Sequence, residues 1–125
     1  MATTIYDTYQ TNGSADIISL SGVVGFAQLG ATSVTIDGVP KVVATADANG
    51  IYKNNFEVNL GSNTDLAGKL LEVNAIITIL NIPATSSLTL TLSGSDADKT
   101  YDLDNPSTGV NKGDVIDYLA SITFL

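Results

Sequence analysis

Between Ser87 and Ser93 the chain reads Ser-Leu-Thr-Leu-Thr-Leu-Ser, an unbroken alternation of apolar and small polar side chains. Successive side chains of a strand point to opposite faces, so period two means one dry face and one wet face. A helix would scatter these leucines around its axis. Antiparallel sheets with one solvated side are where this pattern belongs. The same constraint recurs along the chain. Thr32, Val34 and Ile36 alternate with Ser33, Thr35 and Asp37, and Phe56, Val58 and Leu60 alternate with Glu57 and Asn59. Over residues 70–80, Val73, Ala75, Ile77 and Ile79 form one face. The opposite face carries Glu72, Asn74 and Thr78 but also Ile76 and Leu80. A neighbour, in this chain or another, is expected to cover that apolar end.

Gly, Asn, Asp and Pro punctuate these runs. Residues 4–10 and 16–21 read as strands separated by the Asn12-Gly13 turn. Residues 22–30 are apolar but hold three glycines, which predicts an irregular or bulged strand. Asp37-Gly38 reads as a hairpin turn into a return strand at 39–46, and Pro40 places that strand at an edge. Asp47–Gly50 reads as a further turn. Residues 100–103 are expected to pair back on 87–93, with Tyr101 and Leu103 inward.

The segment 115–125 fits two patterns. Val115, Leu119 and Ile122 make a helical stripe behind an Asp114 cap, while Ile116, Tyr118, Ala120, Ile122 and Phe124 make one strand face. Its β-branched and aromatic content favours the strand. No window sustains a helical period and no fixed repeat stands out.

Eight or nine short strands in 125 residues predict one all-β domain spanning residues 1–125. The expected architecture is an antiparallel β-sandwich, immunoglobulin-like or jelly-roll, with a small closed β-barrel as the alternative. A domain of this size buries roughly two-thirds of the surface of its unfolded chain, enough for a core without staples.

Missing residue types narrow the function. The chain has no His, Cys, Trp or Arg. Zinc sites, Ser-His-Asp triads, Cys-His pairs and bidentate arginine clamps are excluded. Five lysines against 13 acidic residues give a net charge of −8. Nucleic acid and anionic membranes are therefore not expected partners, since both are recognised through positive charge. No run approaches the roughly 18 apolar residues of a membrane-spanning helix. The opening Met-Ala-Thr-Thr-Ile-Tyr-Asp carries no legible signal peptide, and localisation is not readable. Gly-x-Ser-x-Gly, Walker and Gly-x-Gly-x-x-Gly motifs are absent, and the chain is not expected to be an enzyme.

Two constellations remain. The stretch 95–105 places Asp96, Asp98, Asp102 and Asp104 close in sequence. Hard oxygen ligands suit calcium, but the spacing is not that of an EF-hand loop. If Asp96 and Asp98 lie in a turn and Asp102 and Asp104 on the following strand, the pairs stand about 13–20 Å apart. Only Asp96 and Asp98 then remain as candidates for a shared calcium ion. The second constellation is a polar patch of Asn55, Glu57, Asn59, Glu72 and Asn74, which requires their two strands to be neighbours. It would suit carbohydrate, with Tyr52 as the nearest aromatic platform, or a carboxylate pair for glycoside hydrolysis. The expected function is a non-catalytic structural protein that self-associates into a homo-oligomeric filament, shell, or virion- or tail-like particle. The alternative is a carbohydrate-binding module, calcium-dependent or not.

Overall fold

The computed structural model describes residues 2–25, 29–41, 52–53, 55–80, 86–104 and 111–125. These residues form ten strands and one helical turn. In chain order they are β1 (Ala2–Tyr9), β2 (Ile17–Val24), β3 (Leu29–Ile36), β4 (Val39–Pro40), β5 (Tyr52–Lys53), β6 (Phe56–Ser62), α1 (Asn63–Leu66), β7 (Leu70–Thr78), β8 (Ser87–Ser93), β9 (Lys99–Asp104) and β10 (Val115–Phe124). The first sheet runs β1-β10-β7-β3-β4, with β5 also paired to β3; the second runs β6-β2-β8-β9. Two sheets packed face to face make an all-β sandwich, as the alternation predicts, and the closed barrel is set aside.

One pairing departs from the antiparallel expectation. β1 lies parallel to β10, from Ala2 opposite Asp117 to Tyr9 opposite Phe124. All other pairs are antiparallel. The segment 115–125 is a strand, and its five predicted inward residues are all buried. The helical alternative fails because β10 has strand partners on both sides, β1 and β7, which satisfy its backbone.

The buried side chains form one hydrophobic cluster between the sheets. β7 contributes Leu71, Val73, Ala75 and Ile77, and β8 contributes Leu88, Leu90 and Leu92 from the facing sheet. Tyr9 meets Phe124 edge-to-face, ring centroids 6.1 Å apart. The β3–β4 hairpin turns at Asp37 and Gly38, with φ of 49° and 79°. Two successive positive φ values are the primed geometry that matches strand twist. Val39–Pro40 ends the sheet there, so Pro40 does sit on an edge strand; the rest of the expected return strand, and the Asp47–Gly50 turn, lie outside the described residues.

Of the glycine-rich run 22–30, residues 26–28 lie outside the described residues, and the flanking parts belong to two strands. Gly22 pairs in register with both β6 and β8, Val23 and Val24 continue β2 along β8, and Gly30 belongs to β3. The register shift lies elsewhere: Ile18 faces Gly61 while Ser19 faces Asn59, so β6 carries the extra residue. Gly22 instead makes room. It is paired with Phe56, whose ring lies where a Gly22 side chain would sit. Glycine inside a strand ordinarily weakens it, and alanine would gain about 0.5–1 kcal/mol. Here Gly22→Ala is expected to lower stability by about 1–3 kcal/mol, because the methyl must displace a packed ring. Denaturant unfolding of Gly22→Ala beside the parent protein reads the sign directly.

Candidate functional site

The strand directions sort the connections into two ends. β2, β7 and β9 finish, and β3, β8 and β10 begin, at one end. Residues 10–16, 37–38, 63–69 and 94–98 gather at the other, where polar groups stitch the loops together. Asn63, fully buried at the start of α1, is the hub. Its Nδ2 donates to the carbonyls of Asp16 and Gly94, both at 2.9 Å, and its Oδ1 accepts from the Asn12 amide at 3.1 Å. The turn that presents it is capped by Ser62, whose hydroxyl accepts from the Asp65 amide. Thr64 donates to the Ser14 carbonyl, and Thr11 to the Leu125 carbonyl.

The aspartate stretch belongs to this stitched end. Asp96 and Asp98 are both exposed in the β8–β9 turn, as the alternation implies. Asp96 Oδ1 accepts from Asn12 Nδ2 at 3.1 Å, and the neighbouring Ser95 hydroxyl donates to the Gln10 carbonyl at 2.7 Å. The Tyr9 hydroxyl donates to the Ala97 carbonyl at 2.7 Å. Burial raises the Tyr9 phenol above its ordinary range, and the carboxylates of Asp98 and Asp96 push the same way. Asp102 lies on the wet face of β9 and accepts from the Thr89 hydroxyl across the pair. Among the described residues no three carboxylates gather into a metal-binding group. Asp96 is engaged in binding the turn to the segment after β1.

One residue with a central place here was not among the sequence candidates. Asp7, on the inward side of β1, accepts from the Tyr101 hydroxyl at 2.8 Å and pairs with Lys99 Nζ at 3.1 Å. Lys99 also donates to the Thr8 carbonyl. These bonds join β1, at the edge of one sheet, to β9, at the edge of the other. Two edges are thereby clasped along one side of the sandwich. Partners more than 90 residues apart leave no local trace in the sequence.

The polar patch does not assemble. Asn55 precedes β6, and Glu57 and Asn59 lie on it, in the second sheet; Glu72 and Asn74 lie on β7, in the first. β6 pairs with β2, and β7 pairs with β10 and β3, so the two strands are not neighbours. Both sets face outward, and stacked sheets are about 10 Å apart, which puts the two sets on opposite outer surfaces of the sandwich. Glu57 and Glu72 cannot flank one glycosidic bond. Asn55 accepts from the Val24 amide and Asn59 from the Ser19 hydroxyl. The side chain of Tyr52 lies outside the described residues.

The outer faces differ in character. On the second sheet, Glu57, Ser21, Thr91 and Thr100 lie in one cross-strand row, with Asn59, Ser19 and Ser93 in the next. On the first sheet, Tyr6, Leu119 and Ile76 form a diagonal band, with Val115 beside Ile76. Tyr6 is 79% exposed, Val115 47% and Ile76 46%. Among the described residues no element covers Ile76. Along the outward positions of β1, β10, β7 and β3, the only charges are Asp117 and Glu72.

The clasp has a pH signature. A backbone hydrogen bond at Thr8, the Tyr101 hydroxyl and the Lys99 ammonium together hold the Asp7 carboxyl below its usual 3.8. A depressed folded-state value means the unfolded chain binds the proton first, so stability rises with pH through that window. The contribution is complete above the usual carboxylate value and is lost as pH falls through the folded one. Asp7→Asn is expected to cost on the order of 1 kcal/mol near neutral pH and to flatten the acid limb of the stability profile. Urea unfolding of both proteins across the acid range checks this.

Comparison of the chain with known protein families, with curated proteins and with solved structures returns no match.

Proposed function

We propose that this protein is a non-catalytic structural subunit that associates with copies of itself to build a larger assembly. The outer face of the first sheet carries the reading. A chain with a net charge of −8 has few places where two copies can approach without repulsion. The band through Tyr6, Leu119, Ile76 and Val115 is such a place, since it exposes large apolar groups where the outward positions of β1, β10, β7 and β3 carry only two charges, Asp117 opposite Ile76 and Glu72. Contiguous exposed apolar surface rimmed by polar residues is characteristic of interaction sites. The composition supports the same reading, because the chain has no His, Cys or Arg.

Light scattering coupled to size-exclusion chromatography across a concentration series tests it. The expected outcome is a mass that grows with concentration. Ile76→Lys should suppress that growth with little change in melting temperature, because Ile76 is half exposed and contributes little to the core. A monomer at every concentration would overturn the proposal.

A second reading, carbohydrate binding, draws on the rows of Ser, Thr, Asn and Glu on the outer face of the second sheet. Such rows present hydroxyl, amide and carboxylate groups about 4.8 Å apart across strands, chemistry complementary to sugar hydroxyls. Calcium held at Asp96 and Asp98 belongs to this reading. A glycan array with and without chelator is expected to show binding that Glu57→Ala weakens; silence in both conditions would remove the reading.

A further inference from the structure

The backbone of β1 has a direction that the side chains alone do not reveal. Leu125 donates its amide to the Tyr9 carbonyl, and Thr11 donates its amide to the Leu125 carbonyl. Odd-numbered residues of this segment therefore turn their backbone groups toward β10. Strand geometry then turns the N–H and C=O groups of Ala2, Thr4, Tyr6 and Thr8 the other way, to the outside of the sheet. The Thr8 carbonyl confirms the parity, since it accepts from Lys99. β1 ends the sheet order, and among the described residues no strand pairs with its outer edge.

Folded proteins guard such edges with charge, proline, bulges or a covering element. Among the described residues the Thr4–Tyr6 edge has none of these at its own positions. Thr3, Thr4, Ile5 and Tyr6 are uncharged, β-branched or aromatic, and β1 keeps an unbroken register over all eight residues. The adjacent carboxylate, Asp7, is turned inward and held by Lys99 and Tyr101. That clasp guards the edge near Thr8, where Lys99 meets the outward carbonyl, and leaves Thr4–Tyr6 open.

We infer that the outer edge of β1 is a pairing site for the β1 of a second copy, in antiparallel register about a two-fold axis. This deepens the self-association reading and rests on it. The physical chemistry selects the occupant. An edge of unpaired N–H and C=O groups is satisfied by another extended strand. The edge carries no acidic side chain at Thr3–Tyr6 to recruit a basic partner, and on an acidic protein it is a segment where two copies meet without charge repulsion. It is also self-complementary. Setting Thr4 opposite the second copy's Tyr6 brings outward-facing backbone groups into register on both chains over Thr4–Tyr6, and leaves Thr8, whose outward carbonyl accepts from Lys99, at the margin of the pair. In that register Asp7 faces Thr3, so no two carboxylates are opposed. The exposed Tyr6 ring lies beside a β-branched partner, a favourable cross-strand pair. The two outer faces bearing Ile76 and Val115 then join across one continuous sheet. A single strand pair is small beside the roughly 1,200–2,000 Å² of a stable interface, so the edge contact on its own is weak and concentration-dependent.

Sedimentation equilibrium on the full chain, with two edge variants, tests the assignment. Thr4→Pro removes one outward N–H and spares the bonds to β10. Tyr6→Lys adds a charged guard and leaves the backbone intact. Both are expected to keep the melting temperature of the parent within a few degrees and to weaken dimerisation about tenfold or more, the equivalent of about 1.4 kcal/mol. Ile76→Lys, on the face rather than the edge, serves as the comparison. Association that survives undiminished in a folded Thr4→Pro overturns the edge assignment and leaves the self-association reading standing, whereas Tyr6→Lys touches the apolar band as well as the edge. A parent protein that is monomeric throughout overturns both.

Discussion

Period-two burial on β7 and β10 is the constraint on which the rest of the structure depends. Leu71, Val73, Ala75 and Ile77 from one strand, and Ile116, Tyr118, Ala120, Ile122 and Phe124 from the other, have almost no exposed surface. These are the central strands of the first sheet, and every second residue of each is committed to the core. A shift of one residue would turn each set out to water. That penalty sets the register of β10 against β1 and β7, and it fixes which side chains of β1 face the second sheet. Asp7 and Tyr9 face inward for that reason. The clasp to β9 and the packing of Tyr9 on Phe124 follow from it.

Much of this was legible locally. Alternation in 32–36, 56–60, 70–80 and 87–93 is a property of neighbouring residues, and the structure makes each a strand, the third ending at Thr78, with the predicted inward residues buried. Asp37-Gly38 announced its turn for the same reason. What was not legible depends on distant partners. The parallel placement of β1 on β10 joins residues more than 100 apart, such as Ala2 and Asp117. Nothing in either segment encodes the other's direction. The run 22–30 read as an irregular or bulged strand, and the reason for a glycine at 22, the Phe56 ring, lies on another strand. The one-turn helix at Asn63 had a signal in Ser62 and Asp65, a capping arrangement too short to stand out against β-rich flanks. The site candidates divide similarly. The separation of Asp96 and Asp98 from Asp102 followed from alternation alone. Grouping Glu57 with Glu72 required knowing the sheet order, and there the strands fall in different sheets.

The two ends of the sandwich play different parts. One is closed by side-chain bonds to backbone, with Asn63 joining three loops at once. Such bonds are buried or half-buried and individually modest, yet removing a shared hub leaves several partners unsatisfied together. The clasp through Asp7, Lys99 and Tyr101 continues this stitching up one side. Near Thr8 it occupies the outer edge of β1; nearer Ala2 it does not. The same strand is thus guarded at one end and open at the other, and the open part adjoins the apolar face. Self-association, as proposed, would use the region that the internal stitching leaves alone.

The parallel pairing of β1 with β10 also sets how the molecule would bear tension. The start of β1 and the finish of β10 lie at opposite ends of one ladder. A pull applied at those two points runs along the strands and loads the whole ladder in shear. An antiparallel pair pulled from adjacent ends would open like a zipper, one rung at a time. Here the rungs must yield together, so an array of such subunits strained through these strands would resist extension at the place where each chain closes on itself.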